Sequence, residues 1–170
     1  MLHLVRHGRP LVVHDRPADT WELDPAGFDD VWTLRESGRL PQQAAWFGSP
    51  EPKAVGTAQL LTEEEVGIVD DLREHIRATR DWIGDFEAIV RRAFAHPGLP
   101  AHDGWEPLED CQARVTLAVR GILGTHGGMD VVLVGHGTAW TLLASELTGR
   151  PPDLDRWANL QMPDLIVVDA

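Results

Sequence analysis

Residues 1–6, MLHLVR, are mostly apolar and give way to His7-Gly8, as a buried strand ending at a loop does. Positions 8–23 then hold Gly, Pro, Asp and His without periodicity, which predicts a long loop of the kind often tied to function in compact domains. At Asp24-Pro25 the pattern changes: a capping residue followed by proline in the first turn predicts a helix running to about Ser37 and stopping at Gly38. AAWFGSP predicts a short strand breaking at Gly48. Pro50 to Leu61 predicts a helix whose prolines are confined to its first turn, and VGIVDD (66–71) a third strand.

In the second half, DFEAIVRRAF (85–94) and PLEDCQARVTLAVRGIL (107–123) carry apolar residues at helical spacing, with Val115, Val119 and Ile122 on one face. DVVLVG (130–135) is a continuous, β-branched run, as expected of a strand covered on both faces. TAWTLLASELTG (138–149) predicts a helix stopped by Gly149, Pro151 and Pro152, and LIVVD (165–169) a last strand; 96–104 is a loop. Strands alternating with helices predict a three-layer α/β/α sandwich with a mostly parallel central sheet, built as one domain over residues 1–170.

Composition adds limits. With 43% apolar residues the chain can build a core without disulfides or metals as staples. A net charge of −12 argues against general attraction to nucleic acid or an anionic membrane. No apolar run of about 18 residues and no secretory signal pattern is present, so a cytoplasmic protein is expected. The single cysteine, Cys111, lies in a helical stretch without an activating neighbour and reads as structural.

One repetition points to chemistry. The chain runs an apolar strand into His-Gly twice, as LVRHG (4–8) and LVGHG (133–137). In open α/β sheets ligands bind beyond the carboxyl ends of strands, so two adjacent strands would set His7 and His136 across one crevice. Arg6 beside His7 suggests an anionic ligand held by paired charge-assisted hydrogen bonds. Neighbouring cations would keep His7 neutral and nucleophilic, while His136 and the helix start at Gly137 and Thr138 would stabilise developing negative charge. The chemistry implied is phosphoryl transfer.

LVRHGRP and VLVGHGTAWTLL together resemble the histidine phosphatase superfamily, also called phosphoglycerate mutase-like. Four further segments follow in the family's order: WELDPAGFDDV resembles its L-T-x-x-G helix start, and GSPEPKAVGTAQLL its S-S-P-L-x-R-A-x-x-T-A. DLRE stands where the family places its acid, and PLEDCQARV resembles its E-S-x-x-D-x-x-x-R-V. The resemblance implies that His7 is a nucleophile becoming phosphohistidine, Arg6 a phosphate clamp, His136 the second pocket histidine and Glu74 the acid protonating the leaving oxygen. It implies no metal and no cofactor. An adjacent phosphate dianion would raise the pKa of Glu74 and hold its proton for that step.

The chain departs from the pattern at three places. Lys53 replaces the second pocket arginine and cannot make a bidentate contact. Pro10 stands where the family commonly has Ser or Thr, and Arg9 before it is a candidate for the missing planar cation. HIRATRDW replaces G-x-W-E-G after Glu74, leaving Asp15, Asp71 and Glu106 as alternative acids. The ordinary reading of Glu74 is a surface ion pair with Arg77. His3 and His7, four residues apart in a strand, are separated by about 13 Å and do not share a metal. Among the other histidines, His14 and His75 are placed nearest the crevice. Trp21 and Trp105, in rim loops, are candidates to touch an organic leaving group.

The expected function is metal-independent phosphomonoester hydrolysis, on a phosphorylated small molecule or phosphoprotein. A mutase is disfavoured because the resemblance is to short members lacking the mutases' inserted segments. A degenerate binder of phosphorylated ligands is suggested by Lys53 and the missing G-x-W-E-G, and a metallohydrolase using both histidines would lose activity on chelation. Substrate identity and oligomeric state stay open.

Overall fold

A computed structural model describes residues 1–79 and 83–169. Arg80, Asp81 and Trp82, part of the segment following Glu74, lie outside the described residues. Five strands, β1 (Leu2–Arg6), β2 (Ala44–Gly48), β3 (Val66–Ile68), β4 (Asp130–Gly135) and β5 (Asp164–Val168), form one sheet in the order β3-β2-β4-β1-β5. All neighbours are parallel except β1 and β5. The helices are α1 (Phe28–Glu36), α2 (Pro52–Leu61), α3 (Phe86–Ala95), α4 (Leu108–Thr125), α5 (Gly137–Thr148) and α6 (Leu154–Asn159).

The unbroken apolar run of β4 has a direct cause in packing, because alternate residues point to opposite faces and both faces are covered. Val131 and Leu133 join Leu2 and Leu4 of β1 against Val115 and Val119 of α4 and Leu142 and Leu143 of α5. Val132 and Val134 join Val5 against Val31 and Leu34 of α1 and Ala58 and Leu61 of α2. Burying each such side chain contributes about 1.5–3 kcal/mol, so the β1–β4 pair is held from both faces of the sheet. The expected α/β/α sandwich with a mostly parallel sheet is the fold observed.

Details differ where local chemistry overrides periodicity. The third strand stops at Ile68, because the chain turns through a short 3-10 segment, Asp70–Leu72, that buries Leu72 in the core. The Asp24 cap is present, its Oδ1 accepting the N–H of Ala26 at 2.9 Å, but the first turn is 3-10 and α1 proper begins at Phe28. Helix α2 starts at Pro52 with Glu51 as its N-cap, since Glu51 itself is turned inward. Helix α6 lacks a legible period in its six residues and is defined by Asp153, whose carboxylate accepts the N–H of Arg156 at 2.8 Å.

Candidate active site

The register pairs Arg6 with Gly135 across the parallel β1–β4 ladder, so the next residues, His7 and His136, leave the sheet side by side. The N–H of His7 donates to the Gly135 carbonyl at 2.8 Å and extends the ladder by one step. Their rings lie 5.3 Å apart between centroids at an angle of 66°. Gly135 makes room for this arrangement: a Cβ there would come within 2.5 Å of the Trp140 ring, whose Nε1–H donates to the Val5 carbonyl at 2.8 Å. Trp140 thereby ties α5 to the strand that carries His7.

His7 Nδ1 lies 2.7 Å from the carbonyl oxygen of Gly8. A carbonyl can only accept, so Nδ1 carries the proton and the lone pair resides on Nε2. Burial, the neighbouring His136 and the Lys53 and Arg6 charges hold its pKa well below the ordinary value, which keeps the ring neutral. His7 retains 6% exposure and His136 none.

His136 faces a cluster absent from the sequence reading. Its Nε2 lies 2.7 Å from Ser49 Oγ and 3.3 Å from Glu51 Oε1. Burial is the main force lowering the His136 pKa to about 3, against the raising effect of Glu74. Glu51 and Lys53 form an ion pair with both side chains buried, 3% and 7% exposed, and Lys53 Nζ also donates to the Ala18 carbonyl at 2.7 Å. Thr57 adds a brace, accepting the N–H of Gly8 at 2.9 Å and donating to the Lys53 carbonyl at 2.7 Å.

On the other side, Glu74 lays its carboxylate on the first turn of α5. Oε2 accepts the N–H of Thr138 at 3.2 Å and Oε1 that of Ala139 at 2.9 Å, while the N–H of His75 also donates to Oε1. Burial works to raise its pKa, but Arg77, His136 and these backbone donors outweigh burial and hold it at about 2. The site thus holds Glu74 as an anion, seated where a helix N-terminus favours negative charge. Arg6 donates through Nη1 to the Leu160 carbonyl at 2.6 Å, and its Nε, beside Gly137, is buried without a partner among the described residues.

A profile of the histidine phosphatase superfamily (branch 1) matches residues 2–169. The chain belongs to that superfamily. Among solved structures of this histidine phosphatase fold, Bacillus stearothermophilus YhfR has a TM-score of 0.74 at 26% identity, covering 99% of this chain and 91% of that one. The mycobacterial glucosyl-3-phosphoglycerate phosphatase gives 0.71 at 23% identity, covering 94% and 83%. The phosphoserine phosphatase from Entamoeba histolytica, in complex with 3-phosphoglyceric acid, gives 0.73 at 16%, covering 99% and 96%. At those identities the last two demonstrate a shared fold. No curated protein sequence matches the chain. Family membership supports a phosphatase-type enzyme.

The structure gathers Arg6, His7, Lys53, Glu74, His136, Gly137 and Thr138 at one end of the sheet. Arg9 stands apart: its side chain is 51% exposed and its Nε donates to Asp24 at 3.0 Å. Of the alternative acids, Glu106 is tied to Arg114 at 2.7 Å and to the N–H of Ile76, and Asp15 and Asp71 are exposed. Trp105 is not at a rim; it is 3% exposed and packs against His75, Phe86 and His102. Trp21 braces its own loop by donating to the Val13 and Arg16 carbonyls. His75 is buried against Trp105, with Nε2 2.6 Å from the Glu106 carbonyl, and does not face the histidine pair. Among the described residues, no group of three or more His, Cys, Asp or Glu is arranged to hold a metal, and no helix is long and apolar enough to cross a membrane. Sequence reasoning missed Ser49 and Glu51 beside His136, and took Arg77 only as a surface partner of Glu74. A charged residue where the family motif has leucine was the available signal for Glu51.

Proposed function

We propose that the protein hydrolyses phosphomonoesters through a phosphohistidine formed on His7. The observation that carries this reading is the locked tautomer of His7: its Nδ1–H is committed to Gly8, so Nε2 presents a lone pair beside His136, Arg6 and the first turn of α5. In the first step Nε2 attacks phosphorus, the ester P–O bond breaks, and the leaving oxygen takes a proton from Glu74. In the second, Glu74 as carboxylate accepts a proton from water, which attacks the phosphohistidine; the N–P bond breaks and inorganic phosphate leaves. Arg6 and the α5 N–H groups stabilise charge on the transferring group.

Glu74 is ionised in the ligand-free protein, so its acid role requires proton uptake as the substrate enters. A phosphate dianion that takes over the N–H groups of Thr138 and Ala139 removes what holds the carboxyl low and adds a like charge beside it. Substrate binding itself arms the acid. Rapid quenching with a phosphate-labelled aryl phosphate in EDTA tests the reading: acid-labile label on wild type, absent from His7→Ala, is expected. Turnover by wild type no faster than by His7→Ala would overturn it.

A second reading, a catalytically degenerate binder of phosphorylated ligands, is favoured by the Glu51–Lys53 pair, which neutralises one pocket cation internally. It expects saturable binding of orthovanadate without labelling of His7. Transfer of the label to an acceptor alcohol in place of water would instead mark a mutase-type phosphotransferase.

A further inference from the structure

The pocket lacks the planar cation that position 53 would supply, and neither residue first considered provides it. Lys53 is compensated by Glu51 in direct contact, both buried, and drawing Lys53 away would leave an unpaired buried carboxylate. Arg9 is exposed and engaged by Asp24. Arg77 has a different setting. Its guanidinium lies beside the rings of Phe86 and Trp105, 4.8 and 5.0 Å from their centroids, two cation–π contacts that anchor the group. Its Nη2 donates to Thr138 Oγ1 at 3.1 Å, and its Nε is buried with no hydrogen-bond partner among the described residues. Thr138 Oγ1 is fixed from its other side by the indole Nε1 of Trp157 at 3.3 Å.

We infer that Arg77 is a phosphate-binding residue of this site, supplying with Arg6 the second guanidinium on the N-terminus of α5, in the space that the Glu74 carboxylate fills when no ligand is bound. Three features support the placement. Among the described residues, Arg6 Nε and Arg77 Nε are both buried N–H donors without acceptors, and His136, fully buried at the same helix start, has an unpartnered Nδ1. Such orphans are expected where a ligand completes the hydrogen bonding. Arg6 lies against Gly137 and Arg77 bonds to Thr138, so the two cations reach successive residues of one helix turn. Glu74, whose oxygens occupy the N–H groups of Thr138 and Ala139, is the carboxylate acting most strongly on each arginine. An oxyanion of similar size and greater charge fits the same donors. Phosphate monoester dianions are the class of ligand this geometry takes.

The inference rests on the phosphatase reading but is measured separately from it, by calorimetric titration with orthovanadate and with inorganic phosphate. Arg77→Ala is expected to weaken vanadate binding by about 10- to 100-fold, the loss of one or two charge-assisted hydrogen bonds. Arg77→Lys is expected to recover part of that loss, and methylguanidinium added to Arg77→Ala to restore affinity, which a merely structural defect would not allow. Arg120→Ala, on the exposed face of α4, serves as the unaffected control. Should Arg77→Ala fail to fold, Arg77→Gln, which can keep the bond to Thr138, replaces it with the same expected loss. Wild-type affinity in folded Arg77→Ala or Arg77→Gln, a loss in Arg9→Ala with none at Arg77, or no vanadate binding by wild type would each overturn the inference. Arg77-dependent vanadate binding without hydrolysis of any aryl phosphate would retain it while removing the hydrolase; hydrolysis with unchanged affinity in the variants would do the reverse.

Discussion

Glu51 joins the two halves of the candidate site: one carboxylate oxygen stands 3.3 Å from Nε2 of His136 and accepts the N–H of Glu74, while the other holds Lys53. All of this takes place out of solvent, and an ion pair so placed behaves asymmetrically. Removing one partner strands the other, whereas replacing both can be neutral. Glu51→Ala is therefore expected to destabilise the fold by about 3–5 kcal/mol in urea denaturation, and Glu51→Leu combined with Lys53→Met to recover most of that loss. Equal destabilisation by the single and double variants would show that packing, not charge, governs this position.

Glu74 separates binding from catalysis. Glu74→Gln removes a negative charge from the N–H groups of Thr138 and Ala139 and, on the proposed mechanism, also removes the proton-transfer group. The expected outcome is phosphate affinity stronger by about tenfold, from relief of like-charge repulsion, with kcat reduced about 10²- to 10⁴-fold. A parallel fall in both would place Glu74 outside the anion site.

Acid stability follows from the same groups. The His136 pKa is lowered to about 3 from 6.5, His7 is lowered well below the same value, and Glu74 is lowered to about 2 from 4.5. In each window the unfolded chain binds a proton that the folded chain refuses, so stability is full above pH 6.5 and falls as pH drops. The histidine contribution is lost from pH 6.5 downward, reaching its full loss near pH 3 for His136; that of Glu74 is lost between pH 4.5 and about 2. Each group costs about 1.4 kcal/mol per pH unit inside its window. Denaturation midpoints from pH 7.5 to 5 are expected to fall, and His136→Gln to flatten the slope by one proton.

Gly135→Ala tests how the helix is fastened to the sheet. The added methyl would lie 2.5 Å from Trp140 Cζ2, so the indole must move and its bond to Val5 is lost. The overpacking and the broken bond together are expected to cost about 2–4 kcal/mol in thermal or urea unfolding. A loss below about 0.5 kcal/mol would show that Trp140 repacks freely.

Much of this was legible in the sequence because it is local. The β-branched run 131–134, the Asp24 cap and the glycine stop at 149 each act on their own segment, and the repeated His-Gly marks two strand ends directly. What was not legible depends on distant partners. Arg77 read as a surface residue three positions from Glu74, and only the arrival of Phe86, Trp105 and Thr138 turns it inward. Arg9 stands two residues after His7 in sequence, yet the bond from its Nε to Asp24 and the packing of Gly27 against its Cβ hold it on the surface. Glu51 read as one more charge in an acidic chain until Lys53 and His136 closed around it.

The parallel pairing of β1 with β4 means that the His7 and His136 rings are separated along the polymer by most of its length. Closing so large a loop carries an entropic penalty that only contacts between distant segments can offset. A nascent or half-folded chain therefore has no assembled anion pocket, and occupancy of that pocket is a property of the finished molecule alone.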